Sequence, residues 1–226
     1  MKACALCGSI GMAFLFVVLP AMATKAANPG EGEALLMRMT SAYETVKDYR
    51  VLVRVVLDPE DAGRRIEEFI YTFKRPGKIH MEFRMPQPGT VVVFPDEEGQ
   101  VLVRPWGWRS LDFHLAPDSV FLSTPSGQRV DQTDFGLLFR NMERSMDGGR
   151  RGPLEISEDN QYIKITVLAE NHFRKGKVTK YRFTIDRNTL FPVEIDEWTP
   201  EGVLERKITF RELVINTGVS DSFFRP

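Results

Sequence analysis

The chain has 226 residues, with 30 basic and 31 acidic side chains and a formal charge of −1 at pH 7. So balanced a surface carries no broad basic footprint, which argues against nucleic acid as a partner. Length permits one domain or two, and no Ser/Gly-rich or Pro-rich linker divides the chain, so a single domain over 24–226 is expected.

The first residues read as a secretory signal peptide over 1–23. Lys2 supplies the positive start, Ile10 to Leu19 form an apolar run, and Pro20-Ala21-Met22-Ala23 ends it in an A-x-A cleavage pattern. The run is about ten residues where a spanning helix needs about twenty, and no second long apolar stretch follows. Both cysteines, Cys4 and Cys7, precede the cut, so their C-x-x-C spacing leaves with the signal and the mature chain has no disulfide. Cys7 lies before the apolar run rather than directly after it, so the product is read as unlipidated. An exported protein, soluble in the periplasm and stabilised by core burial, is expected.

Leu35, Leu36, Met39, Tyr43 and Val46 recur at three- and four-residue intervals, predicting an amphipathic helix. Alternation then predicts strands. Tyr49, Val51, Val53, Val55 and Leu57 share one face of Tyr49–Asp58, and Phe69, Tyr71 and Phe73 share one face of Glu67–Arg75. Pro76-Gly77 turns the chain into Lys78–Met85, where Ile79, Met81, Phe83 and Met85 face one way. Val91–Phe94 and Val101–Arg104 flank an acidic turn at residues 95–99, and Trp106–Leu115 adds a short strand.

Between Ala116 and Gly149 the period changes. Phe135, Leu138, Phe139, Met142 and Met146 follow helical spacing after the capping candidates Asp131 and Thr133, with Gly148 as the stop. Strands resume at Leu154–Ser157, Ile163–Ala169, Val178–Asp186, Leu190–Trp198 and Leu204–Asn216. The expected fold is mainly β (α+β): one large antiparallel sheet of about ten strands. Accumulated twist would curl such a sheet into a half-open barrel, with the N-terminal helix and the mid-chain helical insertion over its concave face.

Catalytic equipment is sparse. G-x-S-x-G, H-E-x-x-H, P-loop and G-x-G-x-x-G patterns are all missing, so no enzyme activity, metal or cofactor is expected. His80, His114 and His172 are separated along the chain and read as surface or hydrogen-bonded histidines. Glu194, Asp196 and Glu197 crowd one strand and read as a solvated outer face, and Arg174, Lys175, Lys177 and Lys180 as a solvated basic hairpin.

Several segments resemble the LolA-type periplasmic lipoprotein carriers. Tyr71-Thr72-Phe73-Lys74-Arg75-Pro76-Gly77-Lys78-Ile79 is similar to their aromatic strand running into a basic-Pro-Gly turn. Asp186 to Pro192 resembles their Asp-turn-Pro element, followed in order by Gly202, Phe210, Asn216 and Phe223. The Trp106-Gly107-Trp108 segment has no counterpart in that pattern, and no position matches the family's arginine and lid contacts. The resemblance implies a half-open barrel holding acyl chains, hence a carrier of a lipid or lipidated protein across the envelope.

On that basis Phe69, Tyr71, Phe73, Met81, Phe83 and Met85 of the sheet, with Phe135, Leu138, Phe139 and Met142 of the helical cover, are the expected lining of an apolar cavity. Deformable thioethers and broad rings suit acyl chains of irregular shape. Sixteen carbons at about 0.8 kcal/mol per methylene contribute roughly 10 kcal/mol before ordering costs. The residues taken alone serve equally well as a filled core. Trp106 and Trp108, beside Arg104 and Arg109, are candidates for the pocket rim or a transient membrane contact, and also for a plain loop anchor. An alternative function is an envelope sensor or scaffold of the same fold binding a protein partner.

Overall fold

The computed structural model describes residues 25–26, 30–58, 63–119, 122, 129–146, 150–170 and 178–225. The expected signal segment, both cysteines, Gly148, His172 and the basic turn at 174–177 lie outside the described residues.

Helix α1 spans Glu31–Glu44 and α2 spans Phe135–Met146. The strands are β1 (Lys25–Ala26), β2 (Asp48–Leu57), β3 (Arg65–Lys74), β4 (Lys78–Met85), β5 (Val91–Phe94), β6 (Val101–Arg104) and β7 (Phe113–Leu115). After α2 follow β8 (Glu155–Glu158), β9 (Tyr162–Glu170), β10 (Val178–Asp186), β11 (Pro192–Trp198) and β12 (Leu204–Ile215). All join one antiparallel sheet in the order β1-β8-β9-β10-β11-β12-β2-β3-β4-β5-β6-β7, so β12 docks beside β2 and the two ends of the order stay unjoined. The result is a mainly β, open half-barrel with the two helices on its concave side.

Curvature has local causes. Register slips by a residue or more between β3 and β4, β10 and β11, β11 and β12, and β12 and β2, and each such bulge bends its strand and adds twist. The slip in β12 contains Glu212 in the left-handed region.

Apolar alternation places one core inside the curve. Leu35, Leu36, Met39 and Tyr43 of α1 meet Phe139, Met142 and Met146 of α2 over Tyr181, Phe183, Ile163, Ile165 and Val167 of the sheet. Gly136 is required where the helices meet, because a Cβ there would stand 2.6 Å from Cε1 of Tyr43. The convex face is covered in one place. The C-terminal 3-10 turn Asp221–Phe224 lays Phe224 on Val93 and Leu102, while Lys74 and Lys78 hold Asp221 at 2.7 and 3.1 Å. Asp48 secures the approach to that turn by accepting from the amides of Thr217 and Gly218 and the hydroxyl of Thr217.

Three expectations need correction. Asp131 and Thr133 do not cap α2: Asp131 pairs with Arg129, Thr133 donates to the Val130 carbonyl, and Asp134 accepts from the Leu137 amide at 3.0 Å. The strand expected from Leu190 starts at Pro192, because Asp186 Oδ1 takes the amides of Asn188 and Thr189 and sends Leu190 to φ 62°. The strand expected over Trp106–Leu115 is two 3-10 turns followed by β7.

Candidate functional site

A cavity of about 160 Å³ lies between the concave face and α2. Its wall is built in rows by strand register. At one end Tyr49 meets Phe135, with ring centroids 4.8 Å apart, and the next rows bring Val51 and Tyr71 with Met81, then Phe210 and Val53 with Phe69 and Phe83. Ile195, Ile208, Val55 and Glu67 form the following row, and Glu197, Arg206 and Leu57 the last. The cavity therefore runs along β2 and its neighbours from an aromatic end to a charged one. Gln132, Thr133 and Asp134, with Phe135, Leu137, Leu138 and Asn141 of α2, close it from above.

Three tyrosines pin this cover. Tyr43 donates to Asp134 at 3.0 Å, Tyr49 accepts from the Phe135 amide at 3.3 Å, and the hydroxyls of Tyr71 and Thr133 lie 3.1 Å apart. Burial, more than any neighbour, pushes the Tyr43, Tyr49 and Tyr71 phenols well above their ordinary range. They serve as neutral hydrogen-bonding groups, not as bases.

At the charged end Arg206 forms an ion pair with Glu197, the side chains being 4% and 1% exposed. Glu67 lines the same end, and desolvation raises its carboxyl above the ordinary carboxylate range despite the opposing charges of Arg206 and Arg65. The solvated acidic face expected of Glu194, Asp196 and Glu197 is thus overturned for Asp196 and Glu197, while Glu194 stays partly exposed beside Lys207. Glu197 points into the concave side, whereas Asp196, also buried, lies on the convex side under Arg182 and Lys207 at 3.0 and 3.2 Å. Arg182 in turn sits over the Trp198 ring at 4.7 Å.

Of the ten expected lining residues, Phe69, Tyr71, Met81, Phe83, Phe135 and Leu138 border the cavity. Phe73 packs against Tyr49, Phe139 against Tyr43 and Phe191, and Met142 is fully buried in the core. Met85 stands opposite Glu68 because the register skips Arg84, which turns it to the convex face. Trp106 and Trp108 lie outside the cavity wall, 52% and 60% exposed, with ring centroids 5.9 Å apart. Trp106 takes φ 51° and its carbonyl packs on Gly89, itself at φ 81°. Register carries Arg104 through Val91, Glu82 and Ile70 to Leu52, so this aromatic turn lies five residues short of the Leu57–Arg206 pair, with four strands between β6 and β12.

His80 is buried on the convex face, its ring 4.4 Å from Phe223, and His114 bonds Asp96 at 2.7 Å. Among the described residues no group of three or more His, Cys, Asp or Glu is placed to hold a metal ion, and no helix is long and apolar enough to cross a membrane. Sequence reasoning passed over Arg206 and Glu67 as site residues and read Glu197 as solvated. A signal existed for all three: Arg206 is in phase with Ile208 and Phe210, Glu197 with Ile195, and Glu67 with Phe69 and Tyr71, so alternation itself puts them on the concave face.

No family model matches the chain, and no curated protein matches it. Among solved structures, the chain is similar to an uncharacterised conserved protein from Thermus thermophilus, with TM-score 0.50, 8% identity, and 86% of this chain and 92% of that one covered. It is also similar to a putative outer membrane lipoprotein-sorting protein domain from Vibrio parahaemolyticus, with TM-score 0.46, 12% identity and coverage of 87% and 97%. A LolA superfamily protein from Nitrosomonas europaea matches with TM-score 0.39, 9% identity and coverage of 85% and 96%. At these identities the likeness is one of fold.

Proposed function

We propose that the protein is a periplasmic carrier that holds an acyl chain of a lipid or lipidated protein in the half-barrel, after export and loss of residues 1–23 from a single-domain chain. The observation that carries this reading is the cavity itself: apolar rows from four or more strands converge on a space that α2 covers but does not fill. An ordinary core of this size packs to crystal density with few voids larger than water. The reading requires no chemistry, only differential affinity between a closed and an open cover.

The resting volume limits what fits. An engineered apolar cavity of about 150 Å³ accommodates benzene, and sites for drug-sized ligands begin near 300 Å³. A long chain therefore enters only if α2 shifts outward. The exposed Trp106 and Trp108, on the turn that follows β6, are the proposed contact with a donor or acceptor membrane, since indoles favour the headgroup layer.

Uptake of Nile red, a neutral apolar dye, tests the reading. The wild-type protein should bind it with a blue-shifted emission, and Leu138→Trp, which fills the space from the cover, should weaken uptake at least about tenfold at unchanged circular dichroism. A wild-type protein that takes up no dye, or a filled variant that binds equally well, would overturn it and favour a scaffold that binds a protein partner.

A further inference from the structure

The charged end of the cavity has no part in holding an alkyl chain. A buried ion pair is also a poor stabiliser: its desolvation offsets much of its attraction, and apolar residues of similar volume often do as well or better. Yet Arg206 and Glu197, both more than nine-tenths buried, stand in the last row of a sheet wall that is otherwise apolar apart from Glu67 and the Tyr49 and Tyr71 hydroxyls. The Nε donor of Arg206 is buried without a hydrogen-bond partner among the described residues. Such an orphaned donor is unfavourable unless something supplies an acceptor.

We propose that this end is a headgroup subsite, in which Arg206 donates to a neutral acceptor, the ester or amide carbonyl at the root of an acyl chain, while ionised carboxylates and phosphates are rejected. Charge count decides the class. The one guanidinium that lines the cavity is already paired with Glu197, and Glu67 lies one row deeper on the same wall, so an incoming anion meets two carboxyl groups for one buried cation; Arg65, in register with Leu57 but exposed, acts from solvent, where its charge is screened. A neutral carbonyl satisfies the donor and adds no charge to a poorly solvated site. Desolvation that raises the Glu67 carboxyl agrees with an environment hostile to further negative charge. The chain would then point away from the charged row toward Tyr49, Tyr71 and Phe135. The inference rests on the acyl-holding reading and names the cargo class within it: acylglycerols and acylated protein termini, rather than free fatty acids.

Displacement of bound Nile red at pH 8 by 1-monododecanoylglycerol and by dodecanoate, both below their micellar concentrations, tests it. The ionised acid is better solvated in water, which favours the ester in any apolar pocket, so the diagnostic quantity is how the ratio of displacing concentrations changes with substitution. Wild type should prefer the ester by well over tenfold. Glu67→Gln, which removes one carboxylate, should lower that ratio at least about threefold, and the double change Arg206→Met with Glu197→Met should lower it further by weakening ester binding. An unchanged ratio in Glu67→Gln, or equal displacement by both compounds in the wild type, overturns the subsite and leaves the acyl cavity standing. Displacement by neither compound overturns both readings.

Discussion

Arg206 and Glu197 behave as a unit, because removing either leaves the other charged in the wall of an apolar cavity. Arg206→Ala should therefore destabilise the protein by about 3–5 kcal/mol, while the double Met substitution should fall within about 1 kcal/mol of wild type. Urea denaturation of the two variants measures this directly, and equal losses in both would show that the pair acts independently. A different pair responds to pH. The hydrogen bond that His114 donates to Asp96, outweighing slight desolvation, raises His114 above 6.5. For Asp96, burial pulls upward, but the bonds from His114 and the amides of Gln100 and Glu98 prevail and hold it below 3.8. Asp96 contributes stability above 3.8 and loses it as pH falls through its lowered value. His114 contributes below 6.5 and loses it as pH rises through its raised value. The pair is thus fully effective between those two values. His114→Gln should lower the urea midpoint at pH 5.5 and change it less at pH 8.5; the reverse order would contradict the assignment.

Helix α2 is the element on which entry to the cavity depends. Its first turn is held by Asp134, which accepts both from the Leu137 amide and from Tyr43 on α1, and by Tyr49, which accepts from the Phe135 amide. Asp134→Ala should remove a cap worth about 1 kcal/mol and speed hydrogen exchange in α2 while leaving β9 to β12 unchanged, as read by mass spectrometry. Uniform loss of protection would show instead that α2 and the sheet open together. These elements were largely legible in the sequence: the stripe of Leu35, Leu36, Met39 and Tyr43 predicts α1, and β4, β5, β6 and β10 begin and end where alternation does. What escaped was local polar competition. Asp186 claims two amides and delays β11, Asp134 displaces the earlier capping candidates Asp131 and Thr133, and two-residue β1 is too short to show a period.

At the scale of the whole molecule, the twelve strands among the described residues curl without closing, and helices α1 and α2 fill the mouth of the curve incompletely. Alternation shows which residues face inward. Whether they meet or leave a gap depends on curvature, which arises from register slips that carry no sequence period. That is why Phe73, Phe139 and Met142 read like Phe69 and Leu138 in the sequence yet are packed shut, and why the skipped Arg84 turns Met85 outward. The measurement that tests the carrier account most directly is lipid mass spectrometry, with native mass measurement, on protein secreted into a bacterial periplasm and purified without detergent. The account predicts an acyl ester or amide bound at close to one per chain and lost on denaturation. A clean apo mass, with no uptake of added monoacylglycerol, would contradict it.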